Sequence, residues 1–137
     1  MRRIAACSIL LALTSAQAPS QVTIVGQWRN PIGSAIIAIG PCGAVLCGKV
    51  VWASARGKQE ASKSTFKVIG TTVLSGLREA EGRWTGTLFI PDDGIHVAAT
   101  LQPLDDRRLK LTGCALAGLF CRTQVWTRYE EPLPSSN

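Results

Sequence analysis

Four cysteines in two close pairs, Cys42 with Cys47 and Cys114 with Cys121, are the residues of this 137-residue chain whose spacing most limits its chemistry. A zinc site would draw on compact knuckles with about two to four residues between partner cysteines. Here four and six residues intervene, and the two pairs lie far apart in the chain. A redox dithiol wants C-x-x-C at a helix start, where the helix dipole lowers the thiolate pKa, and neither pair has that context. Structural disulfides are the reading that fits, and no metal is expected. His96 is the sole histidine. A general base needs a partner to orient it, and a metal needs more than one imidazole, so His96 reads as a surface or turn-supporting residue. Asp92 and Asp93 sit in a Pro-Asp-Asp-Gly turn, where aspartate caps its own backbone rather than converging with a neighbour on one substrate atom. The serines lack a nucleophile-elbow context. These residues predict neither an enzyme nor a cofactor.

The charge pattern excludes another class. Arg56, Lys58, Lys63 and Lys67 lie in one polar segment, and Arg107, Arg108 and Lys110 in another, with no Trp or Tyr interleaved in either. Nucleic-acid binding wants phosphate contacts and stacking platforms together, so both segments read as solvated basic surface. Net charge is +6, of which Arg2 and Arg3 supply two.

Those two arginines open a leader. Ile4 to Leu13 is apolar, and Ala16-Gln17-Ala18 has the small-x-small pattern of a cleavage site. The stretch is too short to span a bilayer, so residues 1–18 read as a cleaved signal peptide and residues 19–137 as one domain, periplasmic or secreted, without stable membrane insertion. Cys7 does not mark a lipoprotein box, because the apolar run continues past it. The residues that twin-arginine export needs around Arg2-Arg3 are absent.

What positions the cysteines is a chain of short strands. Val22, Ile24, Gly26 and Trp28 alternate with Thr23, Gln27 and Arg29, which places Trp28 on a buried face. Similar runs follow at 34–39, 45–53, 67–74, 84–90, 95–101, 107–112 and 121–129. Turn chemistry punctuates them at Asn30-Pro31-Ile32-Gly33, Gly40-Pro41-Cys42-Gly43, Glu81-Gly82 and Pro91-Asp92-Asp93-Gly94. Short connections favour antiparallel neighbours, so the pattern predicts an all-β barrel or sandwich. Segment 54–65 is polar and poor in turn residues. It reads as a mobile loop near a barrel mouth, with a helical turn around Gln59 to Lys63 as the alternative.

Four cysteines allow three connectivities. Extended, Cys42 and Cys47 would stand about 16 Å apart, whereas a disulfide needs Cα atoms within about 7 Å, so a turn must lie between them. Gly40, Pro41 and Gly43 supply one, and Gly118 serves the other pair. Local bridges form first because their ends are close, although closing loops this short contributes only roughly 2 to 2.5 kcal/mol each, against about 4.5 for a long-range bridge. The expectation is 42/47 and 114/121.

Together these residues carry a resemblance. Gly26-x-Trp28-Arg29, Cys42, Leu46-Cys47-Gly48-Lys49-Val50-Val51-Trp52, Gly70, Leu74-x-Gly76-Leu77, Trp84-x-Gly86, Pro91-x-x-Gly94, Gly113-Cys114 and Thr123-Gln124-Val125-Trp126-Thr127-Arg128 resemble the family called domain of unknown function 2147, over about residues 24–129. The resemblance implies a small exported bacterial protein with a lipocalin-like (calycin-like), single up-and-down antiparallel barrel of about eight strands, and no established reaction. In such barrels a Gly-x-Trp on the first strand sits at the closed end beneath an arginine of the last strand. That assigns Trp28 and Arg128, or else Arg122, to barrel closing. The chain departs from the family where an Asp and an Asn-Pro usually follow the Leu-Cys-Gly-Lys strand. It departs again at Phe89-Ile90-Pro91, which replaces Tyr-Asp-Pro, and at Val97, which replaces a Tyr. Any cavity should then be drier than those of its relatives.

Two functions compete. A carrier would hold a small apolar or amphipathic ligand, with Trp52, Trp84, Phe89 and Val97 as candidate binding residues. A non-enzymatic envelope module with a filled barrel would instead use its outer face or the 54–65 segment to contact the envelope surface or a protein partner that the sequence does not name. Gly26, Gly48, Gly86 and Ala99 on the expected inner face favour space, while Trp28, Trp52, Trp84, Leu88 and Leu101 favour filling. A non-reduced proteolytic digest should yield linked 42/47 and 114/121 peptides by mass spectrometry; linked 42/121 or 47/114 peptides would contradict the local pairing.

Overall fold

The computed structural model describes residues 12–15, 22–65 and 67–135. The expected leader and its cleavage site fall outside them, apart from residues 12–15. Eight strands, β1 (Gly26–Arg29), β2 (Ala35–Cys42), β3 (Val45–Ala53), β4 (Thr72–Ala80), β5 (Arg83–Ile90), β6 (Ile95–Pro103), β7 (Arg108–Ala115) and β8 (Phe120–Arg128), follow in sequence order around a closed barrel. Every neighbouring pair is antiparallel. One helix, α1 (Ala55–Ala61), joins β3 to β4.

Local chemistry explains the turns. Glu81 and Gly82 both take positive φ, 54° and 76°, as the type I′ turn of a two-residue hairpin requires, and its twist suits the flanking strands. Gly43 (φ 70°) opens the β2–β3 turn. That turn comes later than the sequence suggests, because β2 runs on through Pro41 and Cys42 before reversing. Leu116, Ala117 and Gly118 all have positive φ in the β7–β8 turn. Between β6 and β7, Asp105 accepts from the Arg107 N–H at 2.9 Å and from Arg108 Nε at 2.8 Å, and these bonds hold its carboxyl below the usual range.

Two elements differ from the sequence reading. Segment 54–65 is helical over Ala55–Ala61, earlier and longer than the alternative helical turn at Gln59 to Lys63, and only its end is turn: Ser54 caps α1 by accepting from the Gly57 N–H at 3.0 Å, and the Ser54 N–H is held by the Ser34 carbonyl at 2.9 Å. Strand β4 is Thr72–Ala80 rather than 67–74. Gly76, at φ 62°, sits where the β4–β5 register shifts between Ser75 and Arg78, and this bulge hides the strand's alternation.

Both disulfides are the local ones. Cys42 bonds Cys47 across the β2–β3 hairpin, and Cys114 bonds Cys121 across β7–β8, where the two face each other directly with Cα atoms 4.1 Å apart. They clamp opposite ends of the barrel.

The ring closes at a narrow seam. β1 meets β8 only through Trp28↔Arg128 and Arg29↔Thr127. Trp28 is fully buried, and its Nε1 donates to the Ile24 carbonyl at 2.8 Å. Arg128 lies over the indole with its guanidinium carbon 4.3 Å from the ring centre. Its Nη1 donates to the Val25 carbonyl at 3.0 Å, Nη2 to Thr23 at 2.7 Å and Nε to Asp106 at 2.6 Å. The guanidinium therefore stitches the chain before β1 to the last strand and to the β6–β7 turn. Gly26 makes room for it, since a Cβ there would lie 2.6 Å from Nη1, on a backbone with φ of 138°. Trp28→Ala should cost about 3 to 5 kcal/mol in urea unfolding. Gly26→Ala should also destabilise, by about 1 kcal/mol or more, because Arg128 must move and the backbone is strained.

Candidate functional site

Side-chain size is distributed unevenly along the barrel axis. Toward the end holding Trp28, the interior is filled by Ile24, Leu74, Leu77, Leu101 and Leu109, all nearly or fully buried. Three glycines that suggested space on the sequence are packing points there. A Cβ on Gly48 would meet Ile37 and Leu74 at 3.0 to 3.1 Å, one on Gly86 would meet Ser75 O at 2.5 Å and Leu77 at 2.8 Å, and Gly26 is filled by Arg128. The opposite end is hollow. Ala35, Ala53, Gly113 and Ala115 line a cavity of about 760 Å³ whose deeper wall is Ile37, Val50, Val73, Leu88, Val97, Leu111 and Trp126.

The cavity mouth is built from the β1–β2 turn, α1, the β5–β6 turn and the start of β8. Asn30 holds the first of these: its Oδ1 accepts from the Ser34 and Ala35 N–H groups at 2.9 and 3.1 Å, and its Nδ2 donates to Ser34 Oγ at 2.8 Å. Helix α1 docks beside it through Gly57, where a Cβ would lie 2.7 Å from the Ser34 carbonyl oxygen. Ala61 is buried and faces the cavity. Polar groups ring the opening: Glu60, Asp92 and Asp93 on one side, Arg122 and Gln124 on β8. Gln124 Oε1 accepts from Trp126 Nε1 at 3.0 Å, so the indole on the cavity wall presents its ring and not a free donor.

The candidate binding residues separate. Val97 and Phe89 line the cavity, whereas Trp52 and Trp84 do not. Trp52 stands opposite Ile36, on the strand face turned away from Ile37 and Val50. Its Nε1 is buried without a partner among the described residues. A β-bulge between Ile36 and Ile37 changes the alternation that pointed Trp52 inward. Trp84 pairs with Leu101 and packs against the core at the filled end, beside a shallow hollow lined by Pro41, Leu46 and Leu77. Arg122, the alternative partner for Trp28, lines the cavity instead. Trp126 and Leu111 were missed, although Trp126 lies two residues from Arg128 on the same strand face, a signal that alternation carries.

The titratable residues at the cavity lie apart from one another in kind and surroundings. His96 is exposed and stacks on Phe89 across β5–β6, with centroids 4.7 Å apart. No group of three or more His, Cys, Asp and Glu among the described residues could hold a metal ion. Asp92 at the mouth has a raised pKa: loss of solvent raises it, and Glu60 and then Asp93 raise it further, against the opposing pull of Lys63. Its ionised form therefore opposes folding. Stability should rise as pH falls through the raised value, and the gain should be complete below the ordinary aspartate range. Asp92→Asn should be more stable than the parent at neutral pH and lose that acid-side rise when urea midpoints are measured across pH.

The fold and the cavity can be set beside known proteins. A family described as uncharacterized proteins conserved in bacteria, DUF2147, matches residues 26–128. Among solved structures, protein HP1028 from the human pathogen Helicobacter pylori, described as belonging to the lipocalin family, is similar with a TM-score of 0.61 and 14% sequence identity, over 80% of this chain and 85% of that one. At that identity the likeness concerns the fold alone. No curated protein matches the chain. Matching the family over most of its length and folding as an eight-stranded lipocalin-like barrel, the chain belongs to the DUF2147 family of bacterial proteins.

Proposed function

We propose that this protein is a non-enzymatic binding protein of the bacterial envelope that holds one small apolar or amphipathic molecule in the hollow half of its barrel. The cavity carries this reading. Its volume of about 760 Å³ lies within the range of small-molecule sites, its deep wall is aliphatic apart from Trp126, and its polar groups gather at the mouth. An apolar body would replace poorly solvated space and gain roughly 25 cal/mol for each Å² of apolar surface removed from water. A polar end would remain among Asn30, Gln124 and Arg122. The lining favours binding over catalysis, because no nucleophile, base and orienting group converge within it.

Export is supported by the leader pattern at residues 1–18 and by two disulfides, which persist in oxidising compartments. The rival reading, an envelope module with a filled interior, fits the Trp28 half of the barrel and not the half lined by Gly113 and Ala115. Titration with a neutral apolar fluorophore such as N-phenylnaphthylamine should give saturable one-to-one binding. Val97→Trp, which fills the cavity, should weaken that binding by roughly tenfold or more, about 1.4 kcal/mol, with the far-UV circular dichroism unchanged. Absence of binding by the parent chain, together with native mass spectra free of any small molecule after purification from the envelope, would overturn the carrier reading.

A further inference from the structure

Strand β8 is paired along its whole length with β7, from Ala115↔Phe120 to Arg108↔Thr127, but on its other side only Thr127 and Arg128 meet β1. β1 ends at Arg29, and the chain turns away into β2, so among the described residues no strand lies beside the first two-thirds of β8. Exposure reports the same gap. Every residue from Phe120 to Val125 is exposed, including Arg122 and Gln124, which point to the cavity.

The direction of the free backbone groups follows from the register. In an antiparallel pair, alternate residues turn their N–H and C=O toward opposite neighbours. The Arg128 N–H donates to Arg107 O, on the β7 side, whereas the Tyr129 N–H donates to Gln27 O, on the β1 side. Odd-numbered residues of β8 therefore face away from β7. The 4.1 Å Cα separation of Cys114 and Cys121 agrees, being that of a pair without mutual backbone bonds. Cys121, Thr123 and Val125 thus present three N–H and three C=O groups to an open side, and no described residue bonds them. Exposed edges are normally blunted by Lys or other charges, inward-pointing ones included, by Pro or by a bulge, and here the inward-pointing Arg122 is the single such device. Residues 120–126 contain neither Lys nor Pro, and their register with β7 is unbroken.

We propose that this edge is where two copies of the chain pair, β8 against β8, antiparallel about a twofold axis at Thr123. In that register Thr123 faces Thr123 of the second copy, and Cys121 faces Val125 in both directions, so all six free groups are used in six inter-chain hydrogen bonds. Arg122 falls opposite Gln124, with no like charges facing. Moving the axis to Arg122 leaves the Val125 groups unused and sets two guanidiniums side by side, which is destabilising. The count of free groups, with the inward-pointing arginine, therefore disfavours that register. The same geometry brings each copy's β7–β8 turn toward the other's β1–β2 turn, where Leu119 and Ile32 are each 79% exposed and Phe120 is 66% exposed. A second copy is favoured over a foreign strand because the edge, paired with itself, uses all of its free hydrogen-bonding groups and sets Arg122 against a neutral Gln124, as an isologous contact requires.

Sedimentation equilibrium of the purified chain tests this. The parent should show a concentration-dependent monomer–dimer equilibrium. Thr123→Pro deletes an N–H directed at the second copy without touching the β7 ladder, and should give a monomer with unchanged far-UV circular dichroism. Gln124→Arg places guanidiniums together and should weaken the dimer by roughly tenfold or more. Adding Arg122→Gln to that variant should restore pairing, a rescue that a folding defect would not show. A parent that stays monomeric at high concentration, a dimer indifferent to both Thr123→Pro and Gln124→Arg, or a monomer whose β8 edge is occupied by another protein's strand would each overturn the proposal.

Discussion

The structure depends on one side chain, Arg128, spanning a seam that strand pairing alone leaves thin. Closing eight strands requires β1 to meet β8, yet only two residue pairs do so. The guanidinium adds three hydrogen bonds to main-chain carbonyls and a face-on contact with a buried indole. Charge-assisted bonds of this kind are stronger than those between neutral groups, and a cation over Trp gains when partly desolvated. Gly26 is part of the same device, because only a residue without Cβ lets the guanidinium pass.

From that closed end the rest follows by packing. Trp28 and its leucine neighbours fill one half of the barrel, so the space an eight-stranded barrel can enclose is confined to the other. There small residues stand on β2, β3 and β7, and a short helix docked on Ser34 forms part of the rim. The disulfides divide the same way, one at the β2–β3 hairpin of the filled end and one at the β7–β8 hairpin of the hollow end.

The economy of the seam has a second consequence. A four-residue β1 can cover only the last part of a nine-residue β8, so closing the barrel at one end leaves a strand edge open at the other.

Much of this was legible in the residues. Alternation located β3 at Val45–Ala53 and placed Trp28 inward, and turn chemistry found the hairpins and their local disulfides, because strand period, positive φ and the reach of a disulfide are decided by near neighbours in the chain. Helix α1 was harder to see. Ala55–Ala61 is too short for a helical stripe, and what holds it is the Ser34 carbonyl on another strand. Strand β4 and the inward face of Trp52 were misread because bulges at Gly76 and at Ile36/Ile37 interrupt the alternation without altering composition. Near-neighbour chemistry was enough for seven of the eight strands in outline, for antiparallel neighbours and for the two staples. Only the tertiary structure decided where the cavity lies, since whether a glycine leaves space or receives a neighbour depends on Arg128, Leu74 and Leu77 arriving from distant strands, and no local pattern encodes that meeting.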